Sequence, residues 1–109
     1  MRQLKILMYG DMDLNIMDGS AVWLTSMASM LAMNPNVKTD VLLKAKEQNT
    51  RLTSGISNFS NVRLVEPFQT FPDLAVTNGN RINVAEALTR MEALDQQHHY
   101  HLIIIRGFA

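Results

Sequence analysis

Four short apolar runs and two longer periodic stretches divide the chain. The first run, Leu4-Lys5-Ile6-Leu7-Met8-Tyr9, places apolar side chains on both of its faces. That is the pattern of a strand in a parallel sheet with helices on each side. Val37 to Lys44 holds a second strand around Val41-Leu42-Leu43, Val62 to Val65 reads as a third, and Leu102 to Ile105 as a fourth. Between the first two strands, Val22, Leu24, Met27, Ala28 and Leu31 recur at three- and four-residue spacing. The spacing predicts a helix, capped at its start by Asp18 or Ser20 and stopped by Asn34-Pro35-Asn36. Arg81 to Gln97 repeats the pattern with Val84, Ala87, Leu88, Met91 and Leu94. Glu86 and Arg90, four apart, are expected as an ion pair on its exposed side. Ala45 to Asn61 is polar and weakly periodic, a loop with a short helix expected around Gln48 to Ser54. Phe68 to Asn80 reads as a second loop.

The order is therefore strand, helix, strand, loop, strand, helix, strand. This predicts a single α/β domain over residues 1–109, a partial doubly wound (Rossmann-like) parallel sheet of about four strands. Right-handed crossovers put the first and fourth strands side by side, in the order 3-2-1-4. No helix follows the fourth strand within the sequence, so an apolar face beside that strand is expected to lie open.

Composition narrows the function classes. The 109 residues include 47% hydrophobic and 18% charged side chains, a globular balance. Cysteine is absent, which removes disulfides, zinc thiolates and cysteine nucleophiles. Ten basic and ten acidic side chains cancel, so no bulk field draws the chain to nucleic acid or anionic lipid. No aliphatic run approaches the ~20 residues of a membrane helix. The first residues lack a secretory cleavage pattern, and a cytoplasmic location is the expectation.

Chemistry is expected at the turn from the first strand into the first helix. Open α/β sheets bind ligands at the carboxyl ends of their strands, at the topological switch point. Gly10, Asp11, Asp18, Gly19 and Ser20 lie on that turn, and Arg106-Gly107 follows the neighbouring fourth strand. The helix start offers backbone N–H groups to an anion, and Arg106 adds a cation. The structural alternative makes Gly19 a turn residue, Asp18 a cap and Arg106 a solvated end. Trp23 either packs on a loop or lines the same crevice. The methionines of the first helix are expected mostly in the core.

Other motifs fail on spacing. Gly10 and Gly19 are nine apart with no third glycine, so the dinucleotide fingerprint is missing, as is the phosphate-loop signature. Asp11-Met12-Asp13-Leu14-Asn15 begins like a calcium loop, but Ile16 stands at the glycine position and Val22 at the glutamate position. His98, His99 and His101 cluster, yet only His99 and His101 share a side of an extended segment, and no metal site is expected. A phosphate-accepting receiver domain needs an aspartate after the third strand, where Glu66-Pro67 stands.

Several segments in order resemble the N-terminal domain of group 1 glycosyltransferases of the retaining GT-B fold. They are Lys5-Ile6-Leu7-Met8 with Gly10-Asp11, Asp18-Gly19-Ser20-Ala21-Val22-Trp23-Leu24, Val41-Leu42-Leu43-Lys44, Asn61-Val62-Arg63-Leu64-Val65-Glu66-Pro67 and Leu102-Ile103-Ile104-Ile105-Arg106-Gly107. The resemblance implies two Rossmann-like domains across a cleft, the N-terminal one taking a sugar or glycan acceptor. It implies a nucleotide-sugar donor as substrate, with no further cofactor and no metal. It assigns Gly10, Asp11, Asp18, Gly19, Ser20 and Arg106 to acceptor or donor-phosphate binding, and leaves the catalytic residue unassigned. The family's C-terminal donor domain and its paired glutamate motif have no counterpart here. The chain is therefore expected to be a truncated portion, inactive alone, and peripheral to the membrane only within a longer enzyme. A different reading is a small α/β binding module that covers its open edge by forming a homo-oligomer.

Overall fold

The computed structural model describes residues 3–11, 19–46 and 53–106. Along the chain run β1 (Leu4–Gly10), α1 (Gly19–Ala32), β2 (Val37–Leu42), α2 (Ser54–Ser57), β3 (Val62–Val65), α3 (Val84–His98) and β4 (Leu102–Arg106). The strands form one all-parallel sheet in the order β3-β2-β1-β4, the order that the alternation predicts. β1 pairs Leu4 with Val37 through Tyr9 with Leu42 on one side, and Ile6 with Leu102 through Gly10 with Arg106 on the other.

Alternation along the strands divides the interior into two layers. Ile6, Met8, Val41, Leu43 and Val62 pack beneath α1, together with Ile56 of α2. From α1, Leu24 and the smaller Ala21, Ala28 and Ala32 complete this layer. Leu7, Tyr9, Leu42 and Val65 point the other way, against Ala87, Met91 and Leu94 of α3. β1 is thus covered on both faces.

Local chemistry fixes the ends of the elements. The Asn61 side-chain amide contacts the carbonyls of Ala32 (3.0 Å), Asn34 (3.2 Å) and Val37 (2.9 Å), pinning the α1–β2 turn to the start of β3. α3 opens with a reciprocal cap: Asn83 accepts from the Glu86 amide at 2.8 Å, and Glu86 accepts from the Asn83 amide at 2.9 Å. These bonds, that from Asn83 foremost, hold the Glu86 carboxyl below its ordinary value. α3 closes on His99 in the left-handed conformation (φ 54°), a position more often taken by glycine or asparagine.

Four expectations need correction. The short helix in the first loop is α2, at Ser54–Ser57, and 47–52 lie outside the described residues. The apolar stripes are narrower than expected, since Val22, Val84 and Leu88 are exposed flank positions. Met30 of α1 and Met33 just after it are exposed, while Met8 and Met91 are buried. Arg90 is not a surface partner of Glu86. It is fully buried and its guanidinium donates to the carbonyls of Pro67 (2.7 Å), Glu86 (3.1 Å) and Ala75 (3.4 Å), beside the Phe71 ring. Position 90 follows Ala87 by three and precedes Leu94 by four, so helical spacing itself turns it inward.

Arg90 thereby ties the loop between β3 and α3 to the helix. Replacing Arg90 with methionine leaves buried carbonyls unpaired, and is expected to lower stability by about 2–4 kcal/mol. Urea unfolding checks this through a lower midpoint at unchanged slope. An unchanged midpoint would mean that the loop is held by other contacts.

Candidate functional site

The switch point of this sheet lies between β1 and β4, where the chain leaves the first strand toward α1 and the fourth strand arrives from α3. Gly10 pairs directly with Arg106 there, and the Asp11 amide donates to the Arg106 carbonyl at 2.8 Å. The ladder holds these three residues in fixed register.

On the α1 side, the Arg106 guanidinium carbon lies 4.5 Å from the centroid of the Trp23 ring. A cation over an indole face is attracted by the ring quadrupole. The stacking occupies one face of the guanidinium, while its N–H donors make no hydrogen bond among the described residues. Trp23 stands one helical turn beyond Gly19, so both occupy one side of the first turns of α1.

The Asp11 carboxylate forms a close ion pair with the Lys44 ammonium, which also donates to the Ile82 carbonyl at 3.0 Å. The Tyr9 hydroxyl donates to the same Asp11 oxygen at 3.0 Å. Both charged side chains are largely buried. The Asp11 charge is therefore compensated by Lys44. Among the described residues, Arg106 and the positive end of the α1 dipole both favour an anion or a polyhydroxylated ligand at this crest beside Gly10.

The predicted residues thus fall as follows. Gly10, Asp11 and Arg106 come together. Gly19 is the exposed first residue of α1, and a Cβ added there would meet nothing within 4 Å, so packing does not require glycine at that position. Ser20 occupies the first turn of α1. Asp18 lies outside the described residues, as do Gly107 and the rest of the calcium-like run after Asp11. The three histidines serve separate ends: His98 lies beside Arg63, His99 caps α3, and His101 accepts the Lys5 amide through Nδ1 at 3.0 Å. Among the described residues, no three metal-binding side chains converge. Glu66 caps its own turn, accepting the Phe68 amide at 2.8 Å and the Gln69 amide at 2.5 Å.

Lys44 is the functional residue that the sequence reasoning did not single out as a site. Its position just beyond β2 was the available signal, because that strand also ends at the carboxyl edge beside β1. Among the described residues, no helix is long and apolar enough to cross a membrane. No family model matches the chain, and neither a curated protein nor a solved structure matches it.

The buried network at Asp11 also sets an alkaline limit. Burial, then the Asp11 charge and its hydrogen bond, push the Tyr9 hydroxyl well above its ordinary value of 10.0. Burial and the bond to Asp40 do the same for Tyr100. The folded state favours the neutral phenol, so this stabilisation is complete below pH 10 and is lost as pH rises beyond it. A phenolate absorbance titration is expected to show neither of the chain's two tyrosines ionising at pH 10 while it stays folded. Reversible ionisation near pH 10 without unfolding would contradict the burial of both hydroxyls.

Proposed function

We propose that this chain is the acceptor-side, N-terminal portion of a GT-B glycosyltransferase of the group 1 type. Such an enzyme moves a sugar from a nucleotide-sugar donor to a hydroxyl acceptor. The observation that carries the reading is the cation at the β1–β4 switch point, where Arg106 lies over Trp23 beside the opening turn of α1. The ordered segments from Lys5 to Arg106 that resemble the family, and the partial Rossmann-like sheet they build, support it.

In this role the crest binds sugar hydroxyls through the Arg106 guanidinium and faces the leaving diphosphate. Charge grows on that diphosphate as the glycosidic bond breaks. A fixed cation and a helix N-terminus favour it at the moment of transfer without reorganising. The Asp11–Lys44 pair holds the loop at the base of the crest and is a positioning element, since both charges are spent on each other. A donor domain facing this edge supplies most of the nucleotide contacts, and the chain alone does not transfer sugar. The working location is the cytoplasm.

One observation favours a second reading. β4 exposes Leu102 (47%), Ile103 (39%) and Ile105 (53%), so an apolar edge strand stands partly uncovered. In a transferase, further polypeptide covers it. In a self-associating binding module, a second copy does.

Trp23 is the sole tryptophan, so its emission reports on the crest. Titration with a panel of nucleoside diphosphate sugars is expected to change that emission saturably. Arg106→Ala is expected to weaken the response about tenfold, the loss of a charge-assisted hydrogen bond. Absence of any saturable change, together with a discrete dimer in sedimentation, would overturn the transferase reading in favour of the module.

A further inference from the structure

The opposite, amino-terminal edge of the sheet carries a second polar cluster, independent of the transferase reading. Lys5 of β1, Lys38 of β2 and Arg63 of β3 are each the second residue of their strand. Parallel pairing brings them to one edge, and there they line a cavity of about 130 Å³ with Asp40, His98 and Tyr100. A single water needs about 10–15 Å³ on such a measure, so the space admits a polyatomic ligand.

The charges do not balance. Asp40 is the cavity's one carboxylate, and its acceptors are already engaged. Arg63 grips it with Nε at 3.2 Å and Nη2 at 2.8 Å, and the Tyr100 hydroxyl donates to it at 2.5 Å. That leaves two ammonium groups. Lys5 and Lys38 stand directly opposite each other in the β1–β2 register. Like charges in that position repel. Lys5 leans away, donating to the His98 carbonyl at the end of α3 at 3.3 Å. Lys38 makes no ion pair or hydrogen bond among the described residues. The His98 Nε2 lies 3.1 Å from Arg63 Nη2 and, since a guanidinium only donates, accepts from it.

We propose that this cavity is an anion site for a phosphate group, either free inorganic phosphate or the terminal group of a phosphate monoester. Lys5 and Lys38 supply the charge, and the second Arg63 terminal nitrogen supplies a directional donor once the ligand enters. The dianion relieves the lysine repulsion that the empty sheet edge carries. This site lies at the far end of the strands from the switch point, so it is distinct from the proposed sugar-binding crest.

The test is a titration of the whole chain with inorganic phosphate at constant ionic strength, read by amide chemical shifts. Saturable shifts at Lys38, Arg63, His98 and Tyr100 are expected. Lys38→Glu, at an exposed position, is expected to keep the folded spectrum and weaken binding roughly tenfold, as one attraction becomes a repulsion. A parallel titration with methyl phosphate separates the sources. Binding as tight as that of phosphate supports a monoester, and exclusion of the methyl compound supports the free ion. No saturable shift at these residues, or an undiminished one in Lys38→Glu, would overturn the proposal.

Discussion

β1 has no solvent-facing side, and the rest of the structure answers that constraint. Ile6 and Met8 must be covered on one face, and Leu7 and Tyr9 on the other. A helix on each face is the solution available to a parallel sheet, because each crossover between parallel strands must pass over the sheet. With right-handed crossovers, the chain that covers the first face through α1 reaches β2 on one side of β1. The chain that covers the second face through α3 reaches β4 on the other. The switch point beside β1 is therefore a geometric result of burying one strand twice.

Polar groups inside this frame lock the two edges of the sheet. At the carboxyl edge, Asp11 and Lys44 neutralise each other while Tyr9 donates to the same carboxylate. At the amino edge, Asp40 is buried within β2 and would be untenable alone. Arg63 lies directly across the β2–β3 ladder, and Tyr100 reaches it from beyond α3. Arg90 plays the corresponding part for the long loop before α3, where its guanidinium donates to the Pro67 and Ala75 carbonyls from within the helix. Each network satisfies groups that the apolar layers cannot, and each joins segments distant in sequence.

That distance explains what was legible in the sequence. Strand positions and their order followed from the apolar runs, since a doubly buried stretch such as Ile6–Tyr9 has no good alternative. Gly10, Asp11 and Arg106 were legible as neighbours because they terminate adjacent strands. The Trp23–Arg106 stacking and the Lys44 ion pair were not, because they depend on side-chain reach across the crest. Arg90 was misread because a favourable four-residue charge spacing looks the same on either side of a helix. Its place between Ala87 and Leu94 carried the decisive information. The basal cluster was invisible as a cluster, since Lys5, Lys38, Arg63 and His98 come from separate elements and meet only through sheet register.

The proposed ligand crevice at the β1–β4 edge depends on Arg106 being held over Trp23. Residue-resolved amide hydrogen exchange with and without a saturating nucleoside diphosphate sugar tests it most directly. Added protection is expected at Gly10, Asp11, Gly19 and Arg106, with the amino-terminal edge around Lys38 unchanged. Protection spread evenly over the sheet, or confined to the exposed β4 edge, would contradict it.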